Sequence, residues 1–136
     1  MDQLRAAVER IIAWTRLKCR LHLAEKRKLY FKEREIWWVH LGENLGSEQN
    51  GKNESFDRPA LIIKRLNSEL LWILPMTTSE KNSQYYYPTS NEVGKKQTKV
   101  VFSQIRTISS RRLIRKQRTL PINEFDEVRA LLRKLI

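Results

Sequence analysis

The chain has 136 residues, a formal net charge of +12 and one cysteine, Cys19. This length fits one compact domain with an appendage, and a single cysteine excludes a disulfide framework within the chain. No apolar run approaches the roughly 20 residues that a membrane-spanning helix needs, and the charged start of the chain is unlike a secretory signal. We therefore expect a cytoplasmic protein. The charge favours a polyanionic partner, with nucleic acid first and an anionic membrane surface or an acidic protein behind it.

The positive charge is concentrated at the two ends of the chain. Residues 1–34 carry ten Lys and Arg against four Asp and Glu, and residues 103–136 carry nine against three. Residues 35–102 carry eight of each sign. This distribution predicts discrete basic patches rather than a uniformly basic surface.

The first predicted element is one long amphipathic helix over residues 2 to about 30. Its apolar residues recur at spacings of three or four, and they are Leu4, Ala7, Ile11, Trp14, Leu17, Leu21 and Ala24. Such a helix can pack on the domain or on a second copy, or it can lie on a membrane or on nucleic acid. We assign residues 1–33 as an extension of a domain that comprises residues 34–136.

A series of short strands follows the helix. Aromatic and β-branched residues predict strands over residues 36–41, 60–64, 70–74, 85–87 and 99–107, with a short piece at 112–114. Residues 65–69 suggest a hairpin turn, and residues 88–96, with Gly94, suggest a loop. A C-terminal helix begins at Asn123, which we expect to cap it. Together these elements predict an α+β fold, with a small curled antiparallel sheet or barrel between two helices.

The candidate chemistry lies at the strand ends. His22, His40 and Cys19 have no metal-ligand spacing, and neither a Gly-rich phosphate loop nor a nucleophile triad is present, so we expect no metal and no cofactor. Arg58 could stabilise extra negative charge on phosphorus, Thr77 could donate a hydrogen bond to a phosphate oxygen, and Glu48 could take or relay a proton. An arginine and a glutamate beside a loop more often have a structural role.

Four blocks in order resemble the MazF/PemK/Kid toxins of bacterial toxin–antitoxin pairs. They are residues 36–39, residues 46–51 with 58–63, residues 75–78, and residues 103–108 with 112–113. The resemblance covers residues 34–136 and implies an SH3-like barrel, usually a homodimer, with a cognate antitoxin. It also implies a metal-independent endoribonuclease that cuts single-stranded RNA, often mRNA, through attack by the ribose 2′-hydroxyl on the adjacent phosphate.

The same resemblance assigns the site residues. Arg58 and Thr77 match the catalytic positions, and Glu48 matches a loop acid of some members. The expected RNA contacts are Ser47, Gln49, Phe56, Thr78, Ser103, Gln104 and Arg106, and we expect Phe56 to stack on splayed bases if its ring is exposed.

The chain departs from the family pattern at three places. Eight residues separate Gln49 from Arg58, whereas most members have a much shorter gap, and residues 1–33 have no counterpart in a minimal toxin. Ser47 replaces a histidine of some members, and Val101 and Ser103 replace an arginine and an aspartate. An Arg–Thr catalytic scheme is therefore expected. The alternatives are a decayed toxin, a non-catalytic RNA-binding barrel, or a gyrase poison of the CcdB kind acting through its C-terminal helix.

Overall fold

A computed structural model describes residues 1–90 and 96–136; residues 91–95, with Gly94 of the predicted loop, lie outside the described part. The described residues form one curled antiparallel sheet with a helix at each end of the chain. Its strands are β1 (Glu35–His40), β2 (Asp57–Arg65), β3 (Leu70–Thr77), β4 (Tyr86–Pro88), β5 (Lys99–Val101), β6 (Arg106–Ser109) and β7 (Leu113–Thr119). The helices are α1 (Asp2–Leu23) and α2 (Ile122–Leu135). The predicted α+β fold, with its SH3-like curled sheet, C-terminal helix and added N-terminal helix, is confirmed.

Strand β3 organises the sheet. The strand order is β4-β5-β3-β2-β1-β7, and β6 also pairs with β3. The first half of β3 pairs with β6, whereas its last two residues pair with β5. The register of β2 against β3 shifts between Ile62 and Lys64, and an irregularity of this kind bends a strand. The bend lets the sheet curl around a core.

The core has two apolar clusters, one on each face of the sheet. Successive side chains of a strand point to opposite faces, so the run Ala60, Leu61 and Ile62 supplies both clusters. Helix α2 covers the second cluster with Phe125 and Val128. Each fully buried aliphatic or aromatic side chain stabilises the fold by about 1.5–3 kcal/mol. The β2–β3 pair that carries the candidate site therefore has buried core on both of its faces.

The predicted strand over residues 99–107 is wrong in its middle. The chain leaves β5 and forms a 3₁₀ turn over Phe102–Gln104 before β6 begins. Phe102 is buried in the second core cluster, and its amide donates to the Tyr85 carbonyl at 2.8 Å. Because the Phe102 ring is buried in this cluster, the backbone leaves the hydrogen-bonded pairing of the sheet. Of the piece predicted at 112–114, Arg112 ends a second 3₁₀ turn, Ser110–Arg112, and residues 113–114 begin the longer strand β7.

Both predicted helix boundaries need correction. Helix α1 ends at Leu23, because Ala24 is extended with φ −64° and ψ 150°. Arg111 donates to the carbonyls of Leu21 and Ala24, which are among the acceptors that a helix end leaves free. Helix α2 begins at Ile122 with Pro121 at the cap position, so Asn123 lies inside the first turn and is not the cap.

Helix α1 packs through a narrower surface than its stripe predicts. Trp14 is buried, whereas Leu4 and Ile11 are 64% and 49% exposed. The stripe therefore does not pack as a whole on the domain. Within the described ranges, no helix combines the length and the apolarity that crossing a bilayer requires.

Candidate active site

The connection between β1 and β2, residues 41–56, is called the long loop here. Its two ends are held together, because the amides of Leu41 and Gly42 both donate to the Phe56 carbonyl, at 2.7 and 3.1 Å. The Gly51 amide donates to the Gly42 carbonyl at 2.8 Å. A Cβ on Gly51 would lie 1.8 Å from the Phe56 oxygen, so this close approach needs glycine.

The insert that lengthens the loop is ordered by local pairing. Lys52 and Asp57 exchange two backbone hydrogen bonds, at 2.8 and 2.9 Å. The Asn44 side chain donates to the Gln49 carbonyl at 2.8 Å. The loop is therefore closed on itself, and residues 47–50 stand at its outer turn.

Arg58 lies at the start of β2, against the inner side of the long loop. Its guanidinium donates to the carbonyls of Asn50 and Met76, the latter at 3.5 Å. The side-chain amide of Gln49 is assigned the orientation that satisfies its hydrogen-bond partners. In that orientation its oxygen accepts from Arg58 Nη2 at 2.7 Å and from Nε at 2.8 Å. Burial lowers the pKa of Arg58, yet a guanidinium stays charged at neutral pH.

All these acceptors of Arg58 are neutral. Among the described residues, no carboxylate forms an ion pair with it. A half-buried cation without an anionic partner is incompletely compensated, and its planar fork matches the oxygens of a phosphate. Arg58 is thus prepared to bind an anion.

Thr77 stands at the same end of the sheet as Arg58. The β2–β3 register pairs Ala60 with Pro75, and Arg58 and Thr77 each lie two residues beyond that pair. The Thr77 hydroxyl oxygen accepts from the Ser79 amide at 3.2 Å. In the described part of the chain its hydroxyl proton has no acceptor, so it can be donated to a ligand.

Glu48 is exposed and folded back on its own turn. Its carboxylate accepts from the Leu45 amide at 2.8 Å, and its own amide donates to the Leu45 carbonyl at 3.1 Å. Gly46 makes this turn possible with φ 57°. No hydrogen bond or ion pair joins Glu48 to Arg58 within the described residues. Burial lowers the pKa of Arg106, whereas the negative charge of Glu48 raises it and partly offsets the effect of burial. Glu48 therefore interacts electrostatically with Arg106.

Gln104 fastens the outer turn of the long loop to the 3₁₀ turn. Its side-chain oxygen accepts from the Gln49 amide at 3.0 Å, and its side-chain nitrogen donates to the Ser47 carbonyl at 3.1 Å. Arg106 donates to the Leu41 carbonyl at 3.3 Å. The fold thus joins Ser47, Gln49 and Gln104 through hydrogen bonds, and it places Arg106 against Leu41 at the start of the long loop. Of the other predicted RNA contacts, Thr78 and Ser103 have exposed side chains.

Phe56 does not meet the condition set for base stacking. Its ring is 2% exposed. It lies 5.6 Å from the Trp14 ring, centroid to centroid, and 3.8 Å beneath the Arg10 guanidinium. The expected RNA contact is therefore corrected to a packing role, because helix α1 covers the ring.

Arg112 was missed as a site residue. It donates to the carbonyls of His40 and Leu41, at 3.1 and 3.2 Å, and so shares the Leu41 oxygen with Arg106. Burial, with a smaller effect from the charge of Arg106, lowers the pKa of Arg112 to about 10. Its place in the Arg112–Leu113 pair of the resemblance was the signal that pointed to it.

Lys99 was also missed. It is 7% exposed and lies opposite Thr77 in the β3–β5 register. Its ammonium donates to the Lys81 carbonyl and to the Asn82 side-chain oxygen, each at 2.8 Å. A lysine beside the apolar pair Val100 and Val101 is unusual in a short buried strand, and this contrast is the sequence signal for Lys99. Lys99 ties the segment after Thr77 to the sheet.

The chemistry available at this site is that of cations and hydrogen-bond donors. His, Cys, Asp and Glu side chains in residues 1–90 and 96–136 form no group of three that could hold a metal ion. His40 is engaged through Nδ1 with the Ser55 carbonyl at 2.7 Å. Arg58, Arg106 and Arg112 are half-buried along the inner side of the long loop, an arrangement suited to a phosphate backbone.

Solved structures share this fold at low sequence identity. MazF from Deinococcus radiodurans is 22% identical, with a TM-score of 0.65, covering 79% of this chain and 97% of that one. A MazE–MazF structure from the same organism is 18% identical, with a TM-score of 0.59, covering 79% and 96%. An endoribonuclease from a mycobacterial species is 11% identical, with a TM-score of 0.57, covering 79% and 93%.

Family membership follows from the sequence itself. No curated protein matches the chain. The model of the PemK-like, MazF-like toxins of type II toxin–antitoxin systems matches residues 32–136, well over half of the chain. The protein therefore belongs to the PemK-like, MazF-like toxins of type II toxin–antitoxin systems.

Proposed function

We propose that this chain is a metal-independent endoribonuclease that cleaves single-stranded RNA, including mRNA, in the cytoplasm, as the toxin of its toxin–antitoxin pair. The observation that carries the proposal is the Arg58 guanidinium, which is half-buried and, within residues 1–90 and 96–136, is bonded only to neutral oxygens, those of Gln49, Asn50 and Met76. A phosphodiester supplies the missing negative charge, and a phosphorane-like transition state supplies more of it.

The reaction requires no protein nucleophile. The ribose 2′-oxygen attacks the adjacent phosphorus, the O2′–P bond forms and the P–O5′ bond breaks. The products are a 2′,3′-cyclic phosphate and a 5′-hydroxyl. The 2′-hydroxyl loses one proton to a base and the leaving O5′ gains one, so protons balance without net consumption of water.

The site residues divide these tasks. Arg58 stabilises the charge that builds up on the non-bridging oxygens, and the Thr77 hydroxyl donates to one of them. Glu48 is the proposed base. Among the described residues, the Leu45 amide donates to Oε1 of this carboxylate, which leaves Oε2 to take the proton of the 2′-hydroxyl.

The surroundings of Arg58 favour RNA as the substrate. Arg106 and Arg112 each direct a guanidinium nitrogen at the Leu41 carbonyl and retain other N–H groups for phosphates. The exposed side chains of Ser47, Thr78 and Ser103 can contact sugar or base edges. The net charge of +12 raises the local concentration of RNA at low salt.

The test is cleavage of a long single-stranded RNA by purified protein in EDTA. The expected products carry 2′,3′-cyclic phosphate and 5′-hydroxyl ends, and Arg58→Ala abolishes them. Salt-dependent binding without any product would establish a decayed toxin or a non-catalytic barrel instead. Cleavage that requires a divalent ion, or that survives Arg58→Ala, would overturn the assignment to this site.

We propose two protein partners. An antitoxin with acidic character is expected to bind the surface that carries Arg58, Arg106 and Arg112. The MazE–MazF structure from Deinococcus radiodurans is the precedent for such a partner. A second copy is expected at the outer face of β3, where Leu70 and Trp72 alternate with buried residues and stay about 40% exposed. Ile105, 43% exposed, adds to this apolar surface.

A further inference from the structure

We infer that helix α1 is a brace for the long loop, with Arg10 and Trp14 as positioning residues of the active site. The inference rests on the proposed function, because the braced loop carries Glu48 and Gln49. It assigns a role to the extension that the minimal toxins of the resemblance lack.

Helix α1 contacts both limbs of the long loop. On the outgoing limb, Arg10 forms an ion pair with Glu43 at 3.5 Å. On the returning limb, the Arg10 guanidinium lies 3.8 Å from the Phe56 ring centroid, and the Trp14 ring packs against the same ring at 5.6 Å. A helix that contacts both limbs limits how far apart they can move.

Gly42 shows how closely the loop and the helix approach. Its φ of 92° is a conformation that favours glycine. A Cβ there would also lie 2.5 Å from Cε2 and Cζ2 of the Trp14 ring. Any other residue would therefore have to displace Trp14 as well as accept backbone strain.

The contact continues from the helix into the cationic site. The Arg112 guanidinium lies 5.4 Å from the Trp14 ring and donates to the Leu41 carbonyl. Arg106 donates to the same carbonyl. Phe56, which Trp14 covers, is two residues from Arg58 and accepts the amides that close the loop. A displacement of Trp14 would therefore disturb contacts at both ends of the long loop.

The far end of the helix is fastened independently of the loop. Arg111 donates to the carbonyls of Leu21 and Ala24, and Arg27 donates to the Leu113 carbonyl at 2.6 Å. Trp14 belongs to neither of the two core clusters of the sheet. The helix is therefore oriented by β7 and its preceding turn, and its Trp14 contact serves the loop rather than the barrel core.

The experiment compares Trp14→Ala and Arg10→Gln with Ile11→Ala, an exposed control on the same helix. Amide hydrogen exchange is followed at Gly51 and Asp57, and RNA cleavage gives kcat and KM. We expect exchange of these loop amides to accelerate about tenfold or more in Trp14→Ala, with unchanged protection in β3. Misplacement of catalytic groups should lower kcat about tenfold or more, with a smaller effect on KM.

Each outcome decides the matter. Loop exchange and kcat that match those of Ile11→Ala overturn the brace. If Trp14→Ala also exposes β3, Arg10→Gln, which keeps the tryptophan, decides by the same two measurements. If the wild-type chain cleaves no RNA, the proposed function fails, while the exchange data still show whether α1 orders the loop.

Discussion

Arg58 is the residue whose replacement tests the site most directly. Its N–H groups hold Gln49, Asn50 and Met76, so Arg58→Ala removes both the charge and the support of the loop. Loss of one oxyanion donor costs about 10²–10³ in kcat. Because loop support is lost as well, we expect a loss at the upper end of that range, about 10³-fold.

The lysine variant separates charge from geometry. An ammonium retains the charge but is compact and cannot reproduce the planar fork. It therefore lacks the separate Nε and Nη1 donors that contact the Asn50 and Met76 carbonyls. We expect Arg58→Lys to lose about 10²-fold in kcat, between wild type and Arg58→Ala. Loss of a hydrogen bond to a charged group should also lower the free energy of unfolding by about 1.5–3 kcal/mol.

Arg65 provides the matched control. It lies on the same strand at the opposite end and is exposed, so Arg65→Ala changes the net charge equally without touching the site. Single-turnover cleavage of one RNA by all four proteins, at fixed salt, gives the comparison. Equal losses in Arg58→Ala and Arg65→Ala would mean that bulk charge is responsible. Wild-type rates in Arg58→Ala would refute the catalytic reasoning.

Three further predictions concern other parts of the molecule. Thr77→Val should lower kcat about 10–100-fold, whereas Thr77→Ser should keep most of it, because only the hydroxyl is proposed to act. Burial alone would raise the pKa of Glu35, but hydrogen bonds from Trp37, the Lys32 amide and Lys116 outweigh it and lower the pKa below 4.5. Glu35 therefore stabilises the fold above pH 4.5 and loses this effect as pH falls through the lower folded pKa. Urea unfolding of Glu35→Gln should accordingly lack that part of the acid dependence. Trp72→Glu should convert the proposed dimer to a folded monomer, and an unchanged mass by light scattering would contradict the β3 interface.

The parts of the fold that sequence reasoning found are those governed by local pattern. Runs such as Ile36–Val39 and Ala60–Ile63 are apolar on both faces, and the structure places most of their residues in two clusters, with Trp38 in neither. The prediction of one continuous strand over residues 99–107 is wrong because the backbone leaves the strand at Phe102 to bury its side chain. No spacing rule within a single strand anticipates an anchor of that kind, since it depends on a cavity formed by α2 and β3.

The same distinction applies to the site. Arg58 and Thr77 lie at strand ends, so pairing of β2 with β3 alone is enough to bring them together. Glu48 lies on a loop, and its orientation depends on the reciprocal bonds with Leu45 that no motif specifies. The sequence shows Phe56 as an aromatic residue in a polar insert, and its burial depends on Trp14 of helix α1, more than 40 residues away in sequence.

The extension and the insert are best understood as one adaptation. Lengthening a loop by a few polar residues costs little closure entropy, but it weakens the positioning of whatever the loop carries. The insert contains one large apolar side chain, Phe56, which cannot be buried by its own neighbours. Helix α1 supplies Trp14 and Arg10 to cover it, and Gly42 leaves the space for that contact. We therefore infer that the helix packed behind the longer loop holds it in place together with the loop's own hydrogen bonds. Removal of residues 1–30 should loosen this loop before it melts the sheet.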